Sequence, residues 1–180
     1  MTISELMIRA AHTRDLPLLG PLEDRAGQRF KDSRHPYCAS FPHFNVDRLA
    51  ALAQAGTVWV AVDAGDEPIG FVIADRWGDD GYVHELDVEE PYGRRGVGRR
   101  LLGRVAEWAR DDGASSLLLS TFSDVPWNAP FYARLGFAVV PLDAYTTTML
   151  AQRQSDAAAG MPLTSRVMMR APLAPLLSLA

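Results

Sequence analysis

The sequence has only one cysteine, Cys38, among its 180 residues. A single cysteine cannot form an internal disulfide and cannot supply a cluster of thiolates for zinc, so a reducing compartment is the simplest expectation. Residues 1–5 lack the basic region followed by an apolar core that begins a secretory signal, and no apolar run reaches membrane-spanning length. We therefore expect a cytoplasmic protein that has no membrane partner.

Positive charge is not in excess either, because 18 Lys and Arg stand against 22 Asp and Glu, which gives a net charge of −4. An acidic protein is a poor candidate for general nucleic-acid binding, so we expect no nucleic-acid partner. Apolar residues make up 48% and charged residues 22% of the chain, which is ordinary for a globular protein. This length and composition predict a single domain over residues 1–180.

Apolar periodicity, together with the placement of glycine and proline, predicts a mixed α/β fold. The connection at 63–68 is a polar hairpin, whereas the later strands alternate with helices, so the order indicates a mostly antiparallel sheet with flanking helices. The polar, alanine-rich stretch between the last two strands shows no clear pattern. Strands are predicted at residues 7–10, 57–62, 69–74, 82–88, 116–121, 137–140 and 166–170. Helices are predicted at residues 13–30, 45–55, 97–112 and 128–135.

The segment from Leu86 to Leu102 carries the strongest functional signal, because it has the pattern of a strand, a tight turn and an amphipathic helix. Glycines at positions 93, 96 and 98 let the backbone approach a ligand closely, since they have no Cβ. Free N–H groups and the helix dipole favour an anion at the start of the helix. The turn also carries arginines: Arg94, Arg95, Arg99 and Arg100. We predict a phosphate or pyrophosphate ligand; the alternative is a strand-to-helix connection with a solvated basic patch.

Three stretches, in this order along the chain, resemble the GCN5-related N-acetyltransferase (GNAT) superfamily. Residues 93–98 carry the glycines of the family's acyl-CoA signature, Arg/Gln-x-x-Gly-x-Gly/Ala, and Leu86-Asp87-Val88 resembles the strand end that precedes it. Residues 128–137 resemble the family segment that runs from an Asn through a Tyr to Gly-Phe. One position departs from the pattern, because Gly93 stands where the family usually has Arg or Gln; Arg94 or Arg95 is expected to compensate.

The resemblance implies a GNAT-like acyl-CoA N-acyltransferase fold and a single N-acetyltransferase domain. The implied reaction is transfer of the acetyl group of acetyl-CoA, a co-substrate, to a primary amine of a small molecule by direct attack on the thioester. Two alternatives stay open: a protein or peptide N-acetyltransferase, and a non-catalytic acyl-CoA-binding regulatory module. Superfamily members are often dimers, so a homodimer, formed through the C-terminal strand, is a further expectation.

The resemblance also assigns roles to individual residues. Tyr132 lies at the position of the family's general acid, which protonates the CoA sulfur; the alternative is a core tyrosine. Asn128 is implied to hydrogen-bond the CoA arm, to cap the helix that contains Tyr132, or to do both. The residues implied to bind acetyl-CoA are Leu86, Asp87, Val88, Arg94, Arg95, Gly96, Val97, Gly98, Arg99, Asn128 and Tyr132.

The general base has two candidates on the strand before the turn. In several family members a His or Glu lies nine residues before the first signature position, and here that residue is His84. Regular strand alternation places His84 on the face of Tyr82 and Leu86, with Glu85 and Asp87 on the other face. A β-bulge would exchange these assignments, so Glu85 is the second candidate. The alternative for His84 is a structural strand histidine.

The acceptor pocket is predicted from the first helix and the aromatic loop that follows it. Glu23 is a candidate to bind or deprotonate a cationic substrate, the alternative being a solvated helix charge. Phe30 and Tyr37 are predicted to form a wall or lid of the pocket, or else a packed loop cluster. We expect no metal site, because the spacing of His35, Cys38 and His43 fits no standard zinc pattern.

Overall fold

A computed structural model describes residues 6–180; residues 1–5, on which the expectation about a secretory signal depends, lie outside the described residues. The strands are β1 (Met7–Ala10), β2 (Val58–Val62), β3 (Pro68–Trp77), β4 (Asp80–Val88), β5 (Ser116–Phe122), β6 (Ala138–Val139) and β7 (Arg166–Pro172). The α-helices are α1 (Leu16–Gly27), α2 (Val46–Gln54), α3 (Val97–Asp111), α4 (Ala129–Ala133), α5 (Thr147–Ala158) and α6 (Leu173–Leu177). Short 3₁₀ turns cover Gln28–Asp32, Pro36–Ser40, Glu90–Tyr92 and Leu142–Ala144.

One sheet of seven strands, in the order β1-β2-β3-β4-β5-β7-β6, organises the part of the chain that the structure describes. Its neighbouring strands pair antiparallel, except for β4 and β5, which are parallel. A parallel pair needs a crossover connection, and α3 supplies it. This architecture confirms the predicted mixed α/β fold with a mostly antiparallel sheet.

Helices cover both faces of the sheet, because the strands present apolar side chains in both directions. On one face α3 packs its apolar stripe, including Val97, Leu101 and Val105, against β2, β3, β4 and β5. On the other face α1 and α2 bury Leu19, Leu22 and neighbouring leucines against β2 and β3. The apolar periodicity of 97–109 therefore predicted the buried face of α3 correctly.

The helix α5 lies in the stretch for which the sequence gave no prediction. Its amphipathic pattern is weak, but the Thr146 side chain caps it by accepting a hydrogen bond from the Met149 backbone N–H. Met149 is buried against Tyr82, Leu118 and Met168. The buried Asp156 accepts hydrogen bonds from Ser120, Gln152 and Arg166 in addition. A few specific contacts therefore hold this helix, rather than a continuous apolar stripe.

Two other details differ from the sequence-based predictions. The first helix ends at Gly27, and residues 28–32 tighten into a 3₁₀ turn instead of continuing the α-helix to residue 30. The C-terminal strand β7 lies between β5 and β6, so it does not form an edge of the sheet. The strand β6 pairs with only Met169 and Arg170 of β7, and a homodimer formed through β7 stays a prediction.

The strands β4 and β5 separate halfway along their length, and this separation positions the site described below. Their parallel pairing covers Asp80–Val83 and Ser116–Leu119. Beyond these residues β4 continues beside β3 as far as Val88, and β5 continues beside β7 as far as Phe122. A wedge therefore opens between the two strands at the end where the glycine turn begins. Within residues 6–180, no helix combines the length and the apolar character needed to cross a membrane.

Candidate active site

The glycine turn leads from β4 into α3 through two residues in the left-handed region. Arg94 has φ +57° and Gly96 has φ +82°, and α3 begins at the next residue, Val97. No side chain caps this helix end, so the N–H groups of Val97, Gly98 and Arg99 stay available for a ligand. Among the described residues, the exposed Arg94, Arg95 and Arg99 make no ion pair with a carboxylate. The turn therefore offers both backbone donors and positive charge.

Gly93 and Arg94 explain the departure from the acyl-CoA signature. Gly93 has an ordinary φ of −61°, and a Cβ placed there would lie 3.1 Å from the backbone oxygen of Glu90. A side chain at position 93 would therefore crowd the preceding turn. Arg94, in contrast, adopts a conformation that favours glycine. The arginine thus stands one position later than in the family pattern, at the cost of backbone strain.

The helix α4 brings the Asn128–Phe137 segment against the glycine turn. A Cβ added at Gly98 would lie 3.6 Å from Phe131 and within 4 Å of Val88 and Leu86, so α4, the start of α3 and the end of β4 meet at this point. The Asn128 side chain forms no capping hydrogen bond with α4. Of the two roles implied for Asn128, the capping contact is not formed, and the ligand contact stays a prediction.

A β-bulge in β4 corrects the predicted side-chain directions. Ala74 pairs with Val83 and Ile73 pairs with Glu85, so His84 is the extra residue on β4. Leu86 and Val88 therefore pack with Val83 on the α3 face, whereas Glu85 turns to the face of α1, which also carries Tyr82. The expectation that His84 shares a face with Leu86 and that Glu85 points away from Tyr82 is wrong, because the bulge reverses the alternation after His84.

His84 is packed among aromatic rings and a cation. Its ring lies edge-to-face with Phe44, Trp77 and Tyr82, and its Nε2 is 3.3 Å from the Arg48 guanidinium. The side chain is 8% exposed. Burial, helped by Arg48, lowers the pKa of His84 to about 4, although Asp75 opposes this shift. A histidine with so low a pKa is a weak acceptor of protons from an ammonium group.

Three carboxyl groups converge on the α1 face of β4 where the strands separate. Burial raises the pKa of Glu85, although the Arg166 guanidinium opposes this shift. Burial and then the charges of Glu85 and Glu23 raise the pKa of Asp87 well above its ordinary value. Burial, followed by Glu85, raises the pKa of Glu23 to about 8. Glu23 is half-buried rather than fully solvated, and its role towards a cationic substrate stays a prediction.

Tyr132 lies beside these carboxyl groups. Burial, followed by the negative charges of Glu85 and Asp87, raises its pKa above the ordinary value of a phenol. Its ring packs edge-to-face with Phe131 and Phe137, and the side chain joins the core on the α3 side. Tyr132 is therefore protonated at neutral pH, which is the state that a proton donor needs.

The segment between α1 and α2 forms another side of the same region. Phe30 packs edge-to-face with Phe122 and Trp127, at 6.2 and 5.6 Å between ring centroids. Tyr37 lies beside Cys38, and burial raises the pKa of the Cys38 thiol, with Glu85 acting in the same direction. The aromatic rings of this segment pack with one another and with the end of β5, and its role as a pocket wall stays a prediction.

Several residues in this region were missed by the sequence analysis. Arg166 opens β7, donates to Asp156 and Ser120, and places its guanidinium carbon 4.7 Å from the centre of the Phe122 ring. The indole Nε1 of Trp127 is buried without a hydrogen-bond partner in the described part of the chain. The only signals in the sequence were an arginine inside a predicted strand and a tryptophan directly before Asn128.

The histidines of the aromatic loop do not assemble with Cys38 into a metal site. His35 Nε2 hydrogen-bonds Asp124, and His43 Nε2 hydrogen-bonds Asp24. Over residues 6–180 there is no group of three or more His, Cys, Asp or Glu residues arranged to hold a metal ion.

Comparison with known proteins gives the same fold. The model of the acetyltransferase (GNAT) family matches residues 23–137. The chain is similar to N-acetylglutamate synthase from Neisseria gonorrhoeae, complexed with coenzyme A and N-acetyl-glutamate, at 19% identity and a TM-score of 0.69. That match covers 93% of this chain but 35% of the synthase, so this chain spans about a third of that relative.

Two further structures are similar over nearly their whole length. The PaiA N-acetyltransferase from Thermoplasma acidophilum, in complex with coenzyme A, is 15% identical with a TM-score of 0.68; the match covers 93% of this chain and 98% of that one. The ribosomal-protein-S18-alanine N-acetyltransferase from Escherichia coli is 20% identical with a TM-score of 0.63, covering 93% and 94%. At these identities the similarity shows a shared fold.

The left-handed conformation of Arg94 generates a prediction about stability. Replacing Arg94 with glycine should raise the free energy of unfolding by about 1 kcal/mol, because glycine adopts positive φ without a Cβ clash. Urea unfolding measures the difference. The matched control is Arg95→Gly: Arg95 is not among the non-glycine residues with positive φ, so this change should instead lower stability by about 0.5 kcal/mol. Equal losses in both variants would contradict the strain at Arg94.

Proposed function

The chain belongs to the acetyltransferase (GNAT) family and is an acyltransferase, and on this premise we propose that it transfers the acetyl group of acetyl-CoA to a primary amine of a small molecule. The observation that carries the proposal is the meeting of three features at the β4–β5 wedge. These are the uncapped N-terminus of α3, the protonated Tyr132 and the carboxyl group of Glu85. We further propose that residues 1–180 form one N-acetyltransferase domain.

The glycine turn fits the pyrophosphate of coenzyme A. The N–H groups at the start of α3 would donate hydrogen bonds to it, and the positive end of the helix dipole would favour its charge. The space beside Gly96 is open to a ligand, because no atom lies within 4 Å of where a Cβ would stand. Its φ of +82° also favours glycine over any other residue. Arg94, Arg95 and Arg99 would add charge from their exposed positions, and Val97 and Gly98 would contribute backbone donors.

The end of β4 fits the pantetheine arm. Beyond Val83 the strand is paired with β3 on one side, while β5 has moved away on the other. The backbone groups of Leu86, Asp87 and Val88 on that second side can therefore pair with the amide groups of the arm, as in a sheet. Asn128, whose side chain forms no cap, is placed to hydrogen-bond the arm from α4.

The reaction needs two proton movements, and one side chain serves each of them. When bound, acetyl-CoA supplies the thioester carbon that the amine nitrogen attacks and the sulfur that leaves. The Glu85 carboxylate accepts the proton that the amine nitrogen loses, directly or through water. The Tyr132 hydroxyl donates a proton to the sulfur as the carbon–sulfur bond breaks. Its raised pKa keeps the phenol protonated until that step.

Glu85 is the better of the two candidate bases. The bulge turns it towards the face where Glu23 lies, and burial raises its pKa towards the neutral range in which a base is effective. His84 is enclosed by three aromatic rings and faces the cation of Arg48, so its proton affinity is low. We therefore assign the base to Glu85 and a structural role to His84.

The surroundings of the base favour a cationic acceptor of small size. Glu23 and Asp87 add two carboxyl groups near Glu85, and an ammonium group would relieve the repulsion among the three. The aromatic segment with Phe30 and Tyr37 would form the wall of this acceptor pocket. A peptide acceptor, the alternative, would need a more open groove.

Turnover on a panel of acceptors tests the proposed function. Thiol release from acetyl-CoA should be seen with small primary amines and should exceed that with peptides of free N-terminus. Faster turnover on peptides would favour the protein-acetylating alternative. Tight binding of acetyl-CoA by calorimetry, with no turnover on any acceptor, would instead identify a non-catalytic acyl-CoA-binding module.

The role of Tyr132 predicts the behaviour of the Tyr132→Phe variant. Removal of the hydroxyl should lower kcat by about 10²-fold, because a general acid contributes at least this much. Acetyl-CoA affinity, measured by calorimetry, should change little, since the ring keeps its contacts with Phe131 and Phe137. Unchanged kcat would remove Tyr132 from the mechanism.

The role of Glu85 predicts a change in the pH dependence of the rate. The wild-type kcat/KM should rise with pH as Glu85 ionises, at a higher pH than an ordinary carboxyl group, because burial raises its pKa. Glu85→Gln should lose that rise, lower the rate at pH 7 by about 10²-fold, and recover partly at high pH, where the free amine forms unaided. His84→Gln should keep the wild-type profile. The reverse pattern in the two variants would assign the base to His84.

A further inference from the structure

The segment between α1 and α2 is fastened to the end of β5 by a hydrogen bond that the proposed chemistry does not use. His35 Nε2 lies 2.8 Å from Asp124 Oδ1, and the two residues are 89 positions apart in the chain. A carboxylate only accepts, so the imidazole N–H donates. This hydrogen bond lowers the pKa of Asp124, which therefore carries its charge at neutral pH. We call this contact the His35–Asp124 clasp.

The clasp joins a buried histidine to a carboxylate on the protein surface. His35 is 4% exposed, whereas Asp124 lies in the exposed loop after β5. The second ring nitrogen, Nδ1, accepts from the Tyr37 hydroxyl at 3.3 Å, so both nitrogens have partners. A buried ring nitrogen without its partner would be costly, which means that the segment is held in one position as long as the clasp is closed.

The clasp holds the histidine ring in contact with a side chain of the sheet. The rings of His35 and Phe122 stack at 4.1 Å between centroids with an interplanar angle of 18°. Phe122 also contacts Phe30 edge-to-face, and the Arg166 guanidinium lies over its ring. Arg166 in turn acts on the pKa of Glu85. Contacts therefore connect the clasp with Arg166, whose charge in turn acts on Glu85 at the acceptor side of the candidate site.

The segment held in this way carries the residues proposed to form the wall of the acceptor pocket. The two 3₁₀ turns Gln28–Asp32 and Pro36–Ser40 contain Phe30, Tyr37 and Cys38. Neither turn contains a buried side chain that could anchor it. The clasp is thus a main attachment of this wall to the rest of the protein. The glycine turn and the end of β4, which form the proposed acetyl-CoA side, do not belong to this wall.

We propose that the His35–Asp124 clasp sets the position of the acceptor-pocket wall, so that His35 and Asp124 are positioning residues for the acceptor amine. The expected effect on kinetics rests on the proposed acetyltransferase function, whereas the expected effect on the position of the segment does not. Opening the clasp frees residues 28–40 and weakens acceptor binding. Binding of acetyl-CoA, which uses other elements, does not depend on the clasp.

Three variants test the clasp. Asp124→Ala removes the acceptor, and Asp124→Asn keeps an oxygen that can accept the hydrogen bond. Asp111→Ala is the matched control, because it removes an exposed carboxylate at the end of α3, before β5 rather than after it. Hydrogen exchange of the amides in residues 28–40 reports the position of the wall in the ligand-free protein. Steady-state kinetics with the best amine of the panel give KM for the acceptor and for acetyl-CoA separately.

Asp124→Ala should speed exchange in residues 28–40 and raise the acceptor KM about five- to tenfold, as expected for loss of one charge-assisted hydrogen bond. Its KM for acetyl-CoA should stay at the wild-type value. Asp124→Asn should restore most of the exchange protection and of the acceptor KM, and Asp111→Ala should match the wild type in both.

Unchanged exchange in Asp124→Ala, equal rises of both KM values, or an Asn variant as impaired as the Ala variant would overturn the proposal. The exchange measurement needs no substrate. If the wild type turns over no amine, the proposed function fails, while exchange in residues 28–40 still decides whether the clasp holds this segment.

Discussion

The candidate site depends on one structural constraint, the separation of β4 from β5 halfway along their length. The two strands pair over Asp80–Val83 and Ser116–Leu119 and then follow different neighbours. The separation leaves one side of β4 without a strand, next to the turn where α3 begins. The bulge at His84 falls at the same place, and it turns Glu85 towards α1. A ligand can thus contact backbone donors, a carboxyl group and a phenol from within one wedge.

The charged groups around the wedge act on the pKa of several neighbours. Burial raises the pKa of all three carboxyl groups; Glu85 also raises the pKa of Glu23, and Glu85 and Glu23 raise that of Asp87, while Arg166 restrains that of Glu85. Arg166 can do this because Asp156 and Ser120 fix its guanidinium group. Burial, followed by the charges of Glu85 and Asp87, keeps the Tyr132 phenol protonated. The proton acceptor and the proton donor of the proposed reaction are therefore tuned by one electrostatic environment.

The sequence predicted the elements with strong periodicity and the motifs that are local in the chain. The stripe on α3, the glycine turn and the Asn128–Phe137 segment are all contiguous, and they lie in the structure as their patterns indicate. The direction of Glu85 could not be predicted, because the bulge depends on pairing with β3. Arg166 and Trp127 were missed for a similar reason: their significance comes from neighbours that are distant in the chain. The helix α5 was missed because a few specific contacts hold it.

The parallel pairing of β4 with β5 also has a consequence for how the protein folds. Thirty-two residues, including α3, separate Val83 from Ser116, so the chain must close this loop before the pair is stable, at an entropic cost. The start of α3 meets α4 in the folded chain, so the proposed anion site forms only when this crossover is in place. A ligand that binds there favours the assembled crossover over the open chain. Coenzyme A bound at this seam would then stabilise the native state as well as take part in turnover.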